Sequence, residues 1–323
     1  MSIEPTLITQ AKELIDRYET ISILTHINPD ADTIGTALGI YTLLKQNTTK
    51  KLEIINTSDF LPQYLDFLEH FGRFKKKMDF ENSLVISCDC ATVDRLGIDI
   101  KGYEVLNIDH HQSNECYGSV NVVMPQYASA SMVAYELFKE IYLIDTQSAT
   151  AFYTALLSDS RYFTTSSVDK KVFEIALQMV ELGVDTYKVA YNLTQRKSLA
   201  SVRILQRALS TLQLYKDGLV AIMYVTQQDI KASGATMPDM EGIVDYAKGI
   251  ACVKVGIFMM ELESSYRISL RSKGVDISKV ANAFGGGGHK VASGFSMDKT
   301  DINDIKDKIL QQIDEIGLLN GEI

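Results

Sequence analysis

One arrangement recurs in the first third of the chain: a short apolar run of strand length ends abruptly in carboxylate or imidazole side chains. Ile21 to Leu24 leads into Thr25-His26 and then Asn28-Pro29-Asp30-Ala31-Asp32. Leu84 to Ser87 ends at Cys88-Asp89, and Glu104 to Ile108 ends at Asp109-His110-His111. Leu52 to Ile55 is a further run of the same kind. Such runs, separated by stretches of helical periodicity, predict a mostly parallel sheet with helices on both faces. In open parallel sheets ligands bind beyond the carboxyl ends of the strands. Polar residues far apart in sequence are therefore expected on one rim, joined there by Asp159 after the helical run ATAFYTALLSDS. The chain has 5 histidines, and His26, His110 and His111 all fall in these segments.

Helical patterns cover residues 4–18 (Leu7, Ala11, Leu14 and Ile15), the face Ile34, Leu38, Tyr41 and Leu44, and residues 130–143, 147–158 and 169–182. The character changes near 183–215, and within it YNLTQRKSLASVRILQRALSTLQLY (191–215), with few turn signals, reads as one long connecting helix. After Gly218 the pattern restarts. Leu219 to Val225 reads as a strand, 239–248 as a helix, and Ala251 to Glu263 and Tyr266 to Ser272 as strands turning at Ser264-Ser265. A helix at 276–284 then leads into Gly285-Gly286-Gly287-Gly288-His289, and 301–317 closes as an amphipathic helix. The expected fold class is α/β. A parallel-sheet N-terminal domain (1–195) is joined by a helical linker (196–214) to a smaller α/β domain (215–323). A length of 323 residues suits two domains at a prior of about 150 residues each.

The formal net charge is -9, which argues against gripping long duplex DNA through many phosphate contacts. It leaves room for a small anionic substrate in a local pocket. No apolar run approaches the ~18 residues of a membrane span, so no membrane partner is expected. The first residues, MSIEPTLITQAKELIDRYET, lack the basic and apolar regions of a signal peptide. The 4 cysteines show neither a CxxC pair nor a disulfide framework, and together these features lead to the expectation of a reduced cytoplasm.

Carboxylates gathered without counter-charge repel one another and their pKa values rise. Divalent cations remove that conflict. Mixed carboxylate and imidazole ligands suit Mn²⁺ best, with Mg²⁺ and Co²⁺ as alternatives. More ligands are on offer than one ion needs, which suits two cations roughly 3.5–4 Å apart that share a carboxylate. Each element also has an ordinary explanation. Asp30 or Asp32 alone would be a helix N-cap, and His70 in FLEHFGRF has no partner pattern and reads as structural. Cys88 and Cys90 read as small buried residues on the face opposite Asp89. The combination of four segments at predicted element ends outweighs these separate explanations.

HINPDADTIGTALG, SCDCATVDRLG, NIDHHQSN and LLSDSRYF, in this order, resemble the four motifs of the DHH phosphoesterase family. YRISLRSK followed by FGGGGHKVASGF resembles its DHHA1 C-terminal domain, and the whole arrangement is most similar to the short-oligoribonuclease and pAp-phosphatase branch. The resemblance implies that His26 and Asp30 bind a first cation, that Asp32, His110 and Asp159 bind a second, and that Asp89 bridges both. It implies that His111 sits near the scissile phosphate, with Asp109 orienting the histidines. Arg95 and Asn114, just past motif residues, are candidates to touch substrate or to support loops. The chain departs from the family at Ala31, where Gly is frequent, and at Thr36, where Ser is frequent. Both changes leave every ligand intact.

In the second domain the glycine run reads as backbone that something approaches closely, which suits an anion or a flat base. It is neither a Walker loop nor a dinucleotide fingerprint. Arg267, Ser269 and Arg271 share one strand face at even spacing, and an Arg with a hydroxyl and a His makes a phosphate clamp. The resemblance implies that Ser269, Arg271, Gly286, Gly287 and His289 hold the terminal phosphate and base of a nucleotide, with Arg267 either beside them or solvent-facing. Expected substrates are short RNA, from di- to penta-nucleotides, and 3′-phosphoadenosine 5′-phosphate (pAp), in a cleft that closes around them. The alternatives are a cyclic-dinucleotide or pApA phosphodiesterase, a RecJ-type single-strand exonuclease, and a non-enzymatic nucleotide-binding regulator. The apolar segments 130–143 and 147–157 read equally as core helices or as a homodimer face.

Overall fold

The computed structural model describes residues 2–319, and the chain divides into two units, Met1–Arg196 and Lys197–Ile323. The first unit begins with α1 (Pro5–Asp16), β1 (Thr20–Thr25), α2 (Ala31–Asn47) and β2 (Lys51–Ile55). It continues with β3 (Phe74–Lys75), β4 (Leu84–Cys88), β5 (Val105–Asp109), β6 (Val120–Val123), α3 (Ala130–Phe138), α4 (Thr146–Asp159), α5 (Lys170–Glu181) and α6 (Thr186–Thr194). The sheet order is β3-β2-β1-β4-β5-β6, with every pairing parallel. The strand order reverses between β1 and β4, and the crevice beyond the carboxyl ends of such a pair is where ligands bind.

One sheet face carries Ile21, Ile23, Ile54, Ile86, Cys88, Leu106 and Ile108 and is buried by helices α1 to α6. The other face does not have the expected helices. Leu24, Ile55, Val85 and Val105 pack instead against Leu96, Ile100, Val93 and Tyr103, and this cluster draws no residue from an α-helix. The short 3₁₀ turn Val93–Leu96 and the loops around it close this face, because the links from β2 to β5 are too irregular to supply a helix. The same face holds the sheet's buried polar side chains Ser22, Glu53, Ser87 and Asn107. All of α3 and most of α4 are buried within this unit, so the segments 130–138 and 146–159 are core helices.

The stretch expected as one long helix is two. Helix α6 ends at Thr194, and Ser198, in extended backbone, accepts a hydrogen bond from the Ser201 amide and starts α7 (Leu199–Ser210). A serine N-cap there begins a new helix rather than continuing the old one. The second unit goes on with β7 (Gln213–Tyr215), β8 (Val220–Val225), α8 (Gln227–Ser233), α9 (Ile243–Gly249), β9 (Val255–Glu261) and β10 (Ser265–Ser272). It ends with α10 (Ser278–Ala283), β11 (Gly287–His289), β12 (Ala292–Asp298) and α11 (Ile302–Glu315). Its sheet order is β11-β12-β10-β9-β8-β7, antiparallel except for β8 with β9. Helices α10 and α11 bury one face against Ile257, Ile268 and Leu270. Helices α7 and α9 bury the other against Met223, Phe258 and Met260, so Ile204 and Ala208 of α7 are core residues of this unit.

Candidate metal centre

The carboxyl ends of β1, β4 and β5 deliver His26, Asp89 and Asp109-His110-His111 to one rim, as their registers require. Asp30 is the N-cap of α2, with its Oδ1 accepting from the amides of Asp32 and Thr33. It also stands 3.9 Å from His26 Nε2, so the capping role and a place in the cluster coexist. Asp32 lies in the first turn of α2 and accepts from the amides of Ala130 (2.7 Å) and Ser131 (3.2 Å), the start of α3. A helix N-terminus favours an anion, and here it holds a carboxylate that is only 2% exposed. Asp159 is the last residue of α4. That end of a helix disfavours negative charge. Gly35 lets α4 come this close, since a Cβ there would lie 2.8 Å from Ala151 O and 2.8 Å from Ala155 Cβ.

Asp89 occupies the centre. Its backbone is left-handed, at φ 56°, so the carboxylate leaves the strand over the sheet edge rather than onto a face. The expected alternation of Cys88 and Cys90 onto one common face breaks for the same reason. Cys88 packs in the helix-covered core, and Cys90 packs with Leu96 on the opposite side. The two oxygens of Asp89 face different groups. Oδ2 lies 3.5 Å from His26 Nε2, and Oδ1 lies 3.5 Å from His110 Nε2. His110 Nε2 also lies 3.8 Å from Asp32 and 3.6 Å from Asp159. Ligand atoms thus form the groups His26, Asp30, Asp89 and Asp32, His110, Asp159, with a third, Asp89, His110, His111, beside them.

Burial, then the other carboxylates, push Asp89 well above the usual range; burial also raises Asp32, and the same two causes push Asp159 up to about 8. Burial lowers His26. Among the described residues Asp89 Oδ1 is buried and accepts no hydrogen bond. A buried acceptor without a donor calls for an explanation, and a cation is the chemistry that this donor set of carboxylates and neutral imidazoles fits. The imidazoles are turned for it. His26 Nδ1 lies 2.8 Å from Ile27 O, and His110 Nδ1 lies 3.2 Å from Tyr127 O. Protonation on Nδ1 leaves Nε2 as a ligand atom in each. These groups can hold divalent cations.

Burial pulls Asp109 up, but hydrogen bonds from His111, Asn114 and the His110 amide outweigh it and hold the carboxylate below its ordinary value. The His111 Nδ1–Asp109 Oδ1 distance is 2.7 Å, and that bond raises the His111 pKa. Arg95 stands beside His26, 3.2 Å from its Nδ1. Asn114 spends its amide on Asp109 and Cys90 O. His70 lies apart, edge-on to the Tyr41 ring at 5.1 Å. The contributions of Tyr127, the α3 amides and Gly35 went unread in the sequence. Ser129 before an apolar run, in ASAS, is the signal that marks the α3 terminus.

In the second unit Arg267, Ser269 and Arg271 alternate with buried Ile268 and Leu270, so they share the opposite face of β10. Register carries that face across the sheet. Ser269 aligns with Gly294 and Gly287, and Arg271 aligns with Ala292 and His289. Between Arg271 and His289 the row holds only alanine, and beside Ser269 it holds only glycine, which leaves a shelf of exposed backbone. Gly286 admits no side chain, because a Cβ would meet Gly294 O at 2.3 Å. Gly287 and Gly288 of the glycine run lie in an edge strand, β11, with Gly285 and Gly286 leading into it.

Residues 20–156 match the model of the DHH family, N-terminal domain, and residues 216–315 match that of the DHHA1 domain. A relative named bifunctional oligoribonuclease and PAP phosphatase NrnA, from Thermus thermophilus, is 26% identical over 298 residues, 91% of this chain and 89% of the relative. The Bacillus subtilis protein of that name is 25% identical over 296 residues, covering 90% and 93%. The crystal structure of an exopolyphosphatase-related protein from Bacteroides fragilis shares the fold, with a TM-score of 0.90, 23% identity and coverage of 97% and 98%.

Proposed function

The chain belongs to the DHH family and carries a DHHA1 domain, and from that premise we propose a two-cation phosphoesterase that cuts short oligoribonucleotides to mononucleotides and converts pAp to AMP. The observation that carries this reading is the Asp89 carboxylate, whose two oxygens face two separate ligand groups. The names of the relatives, oligoribonuclease and PAP phosphatase, support the substrate class. In this reading His26 and Asp30 hold one cation, Asp32, His110 and Asp159 hold the other, and Asp89 serves both. Mn²⁺ is the proposed metal, from the mixed oxygen and nitrogen donors. When bound, such a pair makes water nucleophilic near neutral pH and offsets charge on phosphoryl oxygens.

The chain's own residues do the rest. Asp109 fixes the His111 ring through Nδ1 and keeps it protonated to higher pH, so His111 can donate to a phosphoryl or leaving-group oxygen. Ser269, Arg271 and His289 border the shelf of Ala292, Gly294 and Gly287, which Gly286 adjoins, and receive a terminal phosphate and base, with Arg267 at its margin. The proposed location is the cytoplasm.

The test is product analysis on 5′-labelled RNA of two to twenty nucleotides, and on pAp, with and without Mn²⁺. Mononucleotides from the shortest substrates, AMP from pAp and no turnover in chelator are expected. Rates that climb with length would favour the RecJ-type alternative, and turnover without divalent cations would exclude the two-cation reading.

A further inference from the structure

We propose that Asn107 and Asn114 form a positioning relay that sets the orientation of His111, and that Asn114 is not a substrate contact. The inference rests on the reading above in one respect, that His111 faces the reacting phosphate.

An asparagine amide offers two N–H donors and an oxygen with two lone pairs. In Asn114 each of these positions is filled by protein. Nδ2 donates to Asp109 Oδ2 at 2.5 Å and to Cys90 O at 3.2 Å. Oδ1 accepts from Asn107 Nδ2 at 3.0 Å and from the Cys116 amide at 2.7 Å. A backbone amide can only donate, so the oxygen must face Cys116 and the nitrogen must face Asp109. A phosphate or base could bind Asn114 only by displacing one of these partners.

The orientation propagates. With Oδ2 taken by Asn114, Asp109 presents Oδ1 to the His110 amide at 2.8 Å and to His111 Nδ1 at 2.7 Å. The His111 proton nearest Asp109 is thereby placed on Nδ1, and Nε2 lies on the other side of the ring. Upstream, Asn107 is fully buried on β5, on the sheet face that lacks helices. Its Oδ1 accepts from Ser87 Oγ at 3.3 Å, which turns Nδ2 towards Asn114. Tyr117 Oη lies 3.0 Å from Ser87 Oγ and 2.9 Å from Cys90 O. Donors therefore point one way from Ser87 to Asp109, and the Asn107 carboxamide fits because it accepts at one end and donates at the other.

Asn107→Asp keeps the size and removes the donor. Its carboxylate would face the Asn114 oxygen and drive that amide to turn over, setting oxygen against Asp109. The readout is the low-field proton resonance of His111 Nδ1–H in the metal-free protein, assigned by its loss in His111→Gln. It should shift or vanish in Asn107→Asp and persist in Ser22→Ala, a change on β1, two strands from β5, that cuts a buried bond to Glu53. With Mn²⁺, kcat on a dinucleotide should fall about 10- to 100-fold, the range for groups that orient a functional side chain, while KM and Mn²⁺ affinity hold. Asn107→Leu removes the donor without adding charge and serves if Asn107→Asp does not fold. A resonance unchanged in both variants overturns the relay. So does an Asn114→Ala protein that raises KM without moving the resonance. A resonance that responds in a protein with no activity on any dinucleotide leaves the relay standing and removes the functional reading.

Discussion

At Asp89 a left-handed backbone, a buried carboxylate and an oxygen without a donor coincide. Asparagine tolerates that backbone and keeps the volume but cannot bridge as an anion. Asp89→Asn should therefore bind less Mn²⁺ by calorimetry and lose most of its turnover. The metal-free variant should melt higher than the metal-free parent at pH 8, because to fold the parent must either protonate this carboxyl or bury it charged, and asparagine does neither. A parent-like Mn²⁺ stoichiometry would contradict the bridging role. In the second unit, Arg271→Ala should raise KM for pAp and leave Mn²⁺ affinity unchanged, because Arg271 lies on β10 and contributes nothing to the cation ligands. The identities and order of these residues were legible in the sequence. The left-handed turn at Asp89 was not, because it follows from where the chain must go after β4.

Helices α2 and α4 set the spacing of the centre. Helix α2 is buried along Ala31 to Leu44, and its Gly35 and Gly39 face Ala151, Ala155 and Phe152 of α4 at distances that exclude a side chain. Gly35→Val should force the helices apart and cost about 1–3 kcal/mol, as overpacking does. Because α4 ends in Asp159 while Asp32 stands in the first turn of α2, the same change should weaken Mn²⁺ binding. Titration calorimetry beside a urea melt separates the two effects, and unchanged affinity in a destabilised protein would show that the spacing is not transmitted. Both helices were readable from periodicity, but their approach was not. Neither was β12, whose ASGFSMD alternates small and polar residues and buries only Ser293 and Phe295. Its partner β11 is mostly glycine, which carries no hydrophobic period at all.

For the whole molecule, the acidic cluster couples folding to pH and to metal. Burial and mutual repulsion raise Asp32, Asp89 and Asp159 above their unfolded values. Such groups contribute their stability fully below the unfolded pKa near ~4 and lose it as pH rises through the folded value, about 8 for Asp159. His26 works the other way: burial lowers its pKa, so its contribution fades as pH falls below the unfolded value of about 6.5. The metal-free Tm should therefore fall between about pH 5 and pH 8. Saturating Mn²⁺ should reverse the slope, since its ligands must be deprotonated. Melting curves across that range, in chelator and in Mn²⁺, read both slopes directly. A metal-free Tm that rises steadily to pH 8 would mean that the carboxylates are not desolvated.

The residues of the centre and the sheet that gathers them could be read from the sequence, because strand length, apolar runs and abrupt polar endings are local properties. The same holds for the Arg267, Ser269 and Arg271 face, which alternation alone assigns. What only the tertiary structure decided lies in contacts between distant segments. Asp32 is held by the α3 amides, Tyr127 O faces His110 Nδ1, and the sheet face without helices is closed by a 3₁₀ turn and loops that carry Leu96, Ile100 and Tyr103 in place of a second helical layer. Those depend on how close two elements come and at what angle, which no period along a single chain encodes.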